Sequence, residues 1–325
     1  VLDNSAVSLY GLGLDGGNCP VLLTLVQVPW RLALSGGFDE SLLLWDLDHG
    51  EVVRELRSHA GPVLCIAVDW AGRQALTGSA DKTLKLWNLS TGGAPVLELG
   101  GHDEGVTCVA ADWAAQRVLS GSMDKTLRFW DLESGEAVRV LLADSCVLCL
   151  VVDWASRRAL SGHDDWALLL WDLEHGEALR VLKGHTNWVL CIEVDWASEQ
   201  ALSGSVDETL LLWDPAQGKP LREFRGHTDA VRCVAVNWGG CPRLALSGSN
   251  DQRLLLWDLA SGEVLRDILG HTGPVMCLMV DWATSFALSG STDLTLRVWS
   301  LQGDVCTRVV KGHTSWVRCL ALCGA

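Results

Sequence analysis

A tryptophan returns every 41 to 44 residues along this chain, at Trp45, Trp87, Trp130, Trp171, Trp213, Trp257 and Trp299. Six residues before each stands an aspartate: Asp39, Asp81, Asp124, Asp165, Asp207, Asp251 and Asp293. Ten residues before each stands a small hydroxyl: Ser35, Thr77, Ser120, Ser161, Ser203, Ser247 and Ser289. Further upstream comes a histidine, usually after a glycine, at His59, His102, His185, His227, His271 and His313. The stretch His185–Asp214 holds the whole pattern in one piece. Such a recurrence restricts the fold to copies of one supersecondary unit, each needing its neighbours to cover its apolar surface.

Within each copy the segments are short and β-prone. Val63–Val68 is apolar on both faces, as a strand buried on both sides must be, and Leu42–Trp45 has the same character. The segment after each Trp-Asp alternates instead, as in Val52, Arg54 and Glu55 or in Val138-Arg139-Val140, which suits an outer edge strand guarded by charge. Glycine turns such as Glu133-Ser134-Gly135 and His175-Gly176 separate the segments, and no amphipathic helical window of useful length occurs. Over residues 32–323 the Gly-His and Trp-Asp positions resemble those of the WD-repeat β-propeller family. The resemblance implies an all-β, seven-bladed β-propeller of four-stranded antiparallel blades. It also implies that histidine, hydroxyl, aspartate and tryptophan form a hydrogen-bonded structural tetrad rather than repeated catalytic sites.

A ring must close, and the chain has seven Trp units but eight candidate innermost strands. Val317–Cys323 follows Gly312-His313 and carries Cys319 at the position of the repeat's cysteine; Val21–Val28 has Leu25 there. The favoured arrangement joins the C-terminal strand to the blade of Ser35 and Trp45. It makes residues 31–325 a single propeller domain and leaves residues 1–30 as an N-terminal segment partly outside the repeats. The rival has Val21–Val28 complete that blade and Val317 begin a cut-off repeat. The start at Val1 without Met, and the extra strand, suit a propeller taken from a longer regulatory or substrate-recognition protein. A docking box with Arg two places after the Trp-Asp aspartate is disfavoured, because those positions hold Asp48, Ser90, Glu133, Glu174, Ala216, Ala260 and Gln302.

The net charge is −15, a diffuse acidity that repels nucleic acid and anionic lipid, so other proteins or peptides are the expected partners. No apolar run is long enough to span a bilayer as a helix, and no membrane insertion is expected. Seven of the twelve cysteines recur at one apolar repeat position: Cys65, Cys108, Cys149, Cys191, Cys233, Cys277 and Cys319. A free cysteine packs like a small hydrophobe, which points to a reducing compartment such as the cytoplasm. Neither a cofactor nor a metal site is expected. Gly11–Gly16 spells a dinucleotide fingerprint without a strand before it or a helix after it. Cys146 and Cys149 would point to opposite faces of a strand, with no second pair to complete a metal site. Asn88-Leu89-Ser90 is a sequon that matters only in a secreted chain.

Function is sought where the copies differ. An Asp-Trp turn recurs at Trp70, Trp113, Trp154, Trp196, Trp238 and Trp282, with Trp30 at the equivalent place, where resembled propellers usually carry proline; packing over the blade floor is the favoured role and an aromatic binding ring the alternative. Trp188 and Trp316 share a loop position that holds Pro62, Gly105, Cys146, Ala230 and Pro274 elsewhere. Arg232 and Arg318 share another, two residues further on. The resemblance places that loop on the top face beside the channel mouth. Exposed aromatics with arginine have the composition of a binding hot spot, so Trp188, Trp316, Arg232 and Arg318 are the candidate partner-binding residues of a non-catalytic scaffold. The remote alternative is an enzyme using the central channel. The fourth copy departs most, with Asp144 in place of the loop histidine and His163 in place of the second serine of Ser-Gly-Ser. A weakened tetrad at Trp171 is expected there, with an Asp144–His163 pair as one possible repair.

Overall fold

The computed structural model describes residues 32–303 and 305–323. Among these the backbone forms seven antiparallel sheets of four strands and no helix. In the blade of Trp213 the strands run Val189–Asp195, Gln200–Ser205, Thr209–Asp214 and Lys219–Arg225. The first strands of successive blades lie side by side in a closed cycle, so they surround a central axis. Blades are numbered 1 to 7 here by their tryptophans, Trp45 to Trp299.

Closure follows the favoured arrangement. Val317–Leu322 pairs antiparallel with Leu32–Gly37, setting Ser35 opposite Leu320 and Gly36 opposite Cys319. The chain's C-terminal strand is thus the innermost strand of blade 1. The rival strand Val21–Val28 and the segment 1–30 lie outside the described residues.

A side-chain contact repeated seven times holds the blades together. A Cβ built on Gly204 would stand 2.7 Å from Cys191 Sγ of its own blade and 2.7 Å from Val231 Cγ1 of the next. Gly36, Gly78, Gly121, Gly162, Gly248 and Gly290 face their own Cys and the next blade's Val in the same way, at 2.6–2.8 Å. The valines Val63, Val106, Val147, Val189, Val231, Val275 and Val317 are fully buried. The glycine after each repeat hydroxyl therefore serves close approach and not backbone flexibility. Around these points lie seven apolar clusters, each drawing residues from two adjacent blades, so the core consists of seams. Trp70, Trp113, Trp154, Trp196, Trp238 and Trp282 are half-buried against these seams, in the packing role; Trp30 lies outside the described residues.

Outer-strand arginines add a second inter-blade link, beyond the edge-guarding role expected of such charges. Each reaches backbone carbonyls in the last turn of the next blade: Arg139 to Leu173 at 3.1 Å and Glu174 at 2.7 Å, Arg180 to Gln217 at 3.4 Å, and Arg266 to Gln302 at 3.3 Å. Arg54 reaches Leu89, and Arg222 reaches Ser261, in the same manner. Arg308 donates to Leu47 at 2.6 Å and so ties blade 7 to blade 1. Blade 2 has Leu97 at this position, opposite Leu86 and packed toward Gly135 of the next blade.

The tetrads are complete in six blades. In blade 5 Trp213 Nε1 donates to Ser203 Oγ at 2.8 Å, His185 Nε2 lies 2.7 Å from that oxygen, and His185 Nδ1 lies 2.8 Å from Asp207. An indole N–H can only donate, so Ser203 Oγ accepts from Trp213 and links it to the imidazole, whose other nitrogen faces Asp207. In blade 1 the same chain joins Trp45 and Ser35 to His313, with Asp39 at 2.9 Å, across the two ends of the described chain.

Blade 4 corrects the expectation in part. His163, supplied by the second strand, replaces the missing loop histidine: its Nε2 lies 2.7 Å from Ser161 Oγ, which accepts from Trp171 Nε1 at 2.7 Å. The indole end is therefore intact. The weakness lies at the other end, where His163 Nδ1 is buried without a hydrogen-bond partner and Asp144 is exposed. The Asp144–His163 pair does not form.

The tetrad aspartates tie stability to pH. Burial alone would raise the carboxyls of Asp39, Asp81, Asp207, Asp251 and Asp293, but hydrogen bonds from the histidines and neighbouring hydroxyl or backbone groups outweigh it and hold them far below the ordinary range. A carboxylate with a depressed folded pKa adds stability above its unfolded value and loses it as pH falls through the folded one. Denaturation midpoints should therefore fall as pH drops below about 4, and Asp207→Asn should flatten that slope by about one proton. Replacing Gly204 with Ala should cost ~1–3 kcal/mol in denaturant unfolding, because both facing side chains must move.

Candidate functional site

Every inner strand carries a β-bulge at its upper end. The register to the second strand shifts between Val189 and Cys191, between Val231 and Cys233, and at the equivalent place in the other blades. A bulge leaves its extra residue out of the ladder and re-aims it. The seven extra residues are Leu64, Thr107, Leu148, Leu190, Arg232, Met276 and Arg318, and all line the mouth of the central channel. The channel cavity measures about 300 Å³.

Arg232 and Arg318 thus line the same mouth, with blade 7 between their blades. Arg232 Nε donates to Asn250 Oδ1 at 2.8 Å, and Asn250 Nδ2 donates to Asp229 at 3.2 Å, so a carboxylate steadies Arg232 through an amide. Burial pulls the Arg232 pKa down, and the like charge of Arg318 adds to the effect. Arg318 makes no hydrogen bond or ion pair among the described residues. It lines the same central cavity as the seven ring cysteines.

Trp188 and Trp316 stand two residues before the bulge, on the rim. They are 49% and 47% exposed. Trp316 rests on Phe38, with ring centroids 5.0 Å apart, while its carbonyl accepts from Phe38 N. The carbonyl of Trp188 accepts from Val206 N. The two indoles do not touch each other. With the arginines they occupy one arc of the ring, through blades 5, 6, 7 and 1, with Pro274 and Met276 in blade 7 between.

The family model described as WD domain, G-beta repeat matches residues 50–88, 93–131, 176–214, 218–258 and 262–300, more than half of the chain. The chain belongs to the WD40 repeat family. Blade 4, with its relocated histidine, falls between matched segments. No curated protein matches the sequence. WD40 propellers generally serve as protein-interaction scaffolds and are typically non-catalytic.

Two further residues of this WD40 chain stand apart from their counterparts in the other blades. Trp166, in the fourth blade, is 49% exposed in an upper-face turn, with its backbone in the left-handed region at φ 75°. The equivalent residues are polar in five blades, Glu40, Lys82, Lys125, Glu208 and Gln252, and apolar in one, Leu294. Glu193 is the only charged residue at its inner-strand position, where the other blades have Ala67, Ala110, Val151, Ala235, Met279 and Ala321. Burial pushes its carboxyl up to about 7. The acid is easily overlooked inside an otherwise continuous apolar segment.

The ring thiols are structural. Cys65 Sγ lies 3.8 Å from the carbonyl of Val106 and Cys149 Sγ 3.7 Å from that of Val189, each wedged toward the next blade. Burial raises all seven and pushes Cys108, Cys191 and Cys319 up to about 12. The thiolate is the reactive form, so these positions should resist alkylation in the native state. A short iodoacetamide pulse read by peptide mass spectrometry should label exposed Cys241 first among the described cysteines. The seven ring cysteines should label only after unfolding.

Proposed function

We propose that this WD40 propeller is a non-catalytic scaffold that holds other proteins or peptides at its upper face. The arc of Trp188, Arg232, Trp316 and Arg318 is the contact site. The observation that carries this reading is the pairing of two exposed indoles with two arginines re-aimed by bulges into one mouth. Trp and Arg dominate binding energy at interfaces, because each offers a large contact area together with directed donors. A rigid ring suits the role, since loops held on stiff sheets lose little freedom on binding. The function needs no cofactor or metal. The free state of the described cysteines supports a reducing compartment.

The double substitution of Trp188 and Trp316 to Ala tests the site. Both side chains lie on the rim, so the melting curve should stay within a degree or two of the parent, as surface changes usually do. Recovery of partners from a lysate of the source cells should fall by about tenfold or more. Undiminished recovery at an unchanged melting temperature would remove this arc from consideration.

A further inference from the structure

The chemistry of the channel mouth goes further than a generic contact surface. Of the seven bulge residues only Arg232 and Arg318 are charged. Leu64, Leu148, Leu190 and Met276 offer no polar group, and the hydroxyl of Thr107 is spent on the carbonyls of Gly121 at 3.0 Å and Val147 at 2.6 Å. The polar groups left to meet a ligand at this level are thus two guanidiniums.

Among the described residues, neither is neutralised by a direct ion pair. Asp229 reaches Arg232 only through Asn250, and its Oδ1 also accepts from Ala230 N at 2.6 Å. The Asn250 contact uses Arg232 Nε and leaves the terminal donors free. Arg318 keeps all of its donors. A half-buried cation beside another cation is costly until an anion answers it. One negative charge would leave one guanidinium uncompensated; two would balance the pair. Guanidinium forks match phosphoryl oxygens in bidentate geometry.

We propose that the mouth is a seat for a phosphoryl group carried on a peptide, gripped between Arg318 and Arg232. The proposal rests on the upper-face reading above and names the chemistry of what docks there. A cavity of about 300 Å³ admits one compact dianion, and the net charge of −15 around it repels extended polyanions. Trp188 and Trp316 on the rim supply apolar contact for residues on either side of the phosphoryl group, which favours a peptide over a free ion. At pH 7 a phosphothreonine carries nearly two negative charges, whereas glutamate carries one.

The test uses the whole chain on three immobilised degenerate peptide libraries, with phosphothreonine, threonine or glutamate fixed at the centre. Retention should be at least about tenfold greater on the phosphothreonine library and should weaken with added salt. Arg318→Leu and Arg232→Leu should each remove that preference. Both should keep the parent melting curve, because blades 2, 4 and 5 carry leucine at this bulge. Equal retention on all three libraries, or a preference that survives both substitutions, overturns the proposal. Inorganic phosphate that displaces the protein at concentrations comparable to free phosphopeptide assigns the seat to a free ion and overturns the peptide assignment. The upper-face reading is checked separately in lysate. Partners lost from the Trp188→Ala/Trp316→Ala variant but unaffected by prior phosphatase treatment and by Arg318→Leu would leave that reading standing while the phosphoryl seat fails.

Discussion

The ring depends on a contact only a few ångströms wide, where a glycine in the second strand lets its own blade's cysteine and the next blade's valine meet over its Cα. A side chain at Gly204 would hold Cys191 and Val231 apart. Because the contact recurs at every seam, including Gly290 with Val317 at the closing one, it sets a common spacing between inner strands. Seven equal spacings close a circle. Dispersion and apolar burial at the seams then need no contribution from the blade interiors, since each blade is one sheet thick.

Polar links act on top of this packing. The tetrads pin the upper turns to the strands beneath them, and the outer arginines tie the lower turns of neighbouring blades together. Blade 4 shows how the tetrad tolerates change. Moving the imidazole from the loop to His163 on the strand keeps the Ser161 and Trp171 bonds, because those partners lie close to the strand. The carboxylate arm is lost because Asp165 stays with its own turn, where it accepts from Ala167 N. The indole, which has a single donor and no exit to water, is the group whose satisfaction survives.

The same bulge that ends each inner ladder also creates the channel mouth. A regular strand sends its residues alternately into the two flanking seams; the inserted residue lines the channel mouth instead. Five blades place uncharged side chains there, and two place arginine. Differences among the copies are thus projected onto one small ring, and the exposed tryptophans on the rim fall on the same arc. Architecture and candidate site come from separate residues, so the site can vary without disturbing the seams.

Much of this was legible in the sequence. The period, the apolar inner segments and the recurring Trp, Asp and hydroxyl positions marked seven copies of one β-rich unit, and the resemblance they carry to WD-repeat propellers implied the ring. The odd residues Trp188, Trp316, Arg232 and Arg318 also stood out against their sister copies. Other features were decided only by the tertiary structure. His163 reaches Ser161 because alternate residues of a strand share a face, but which polar neighbour would fill the gap left by Asp144 depended on three-dimensional placement. The arginines of the outer strands read as edge charges until the next blade's carbonyls came within reach. The position of Arg318 at the channel mouth, without a hydrogen bond or ion pair among the described residues and one blade removed from that of Arg232, follows from a bulge and a ring closure that join residues about 280 apart in the chain, such as Ser35 and His313. Local sequence specifies the strands; the distances between them arise only when the ring is shut.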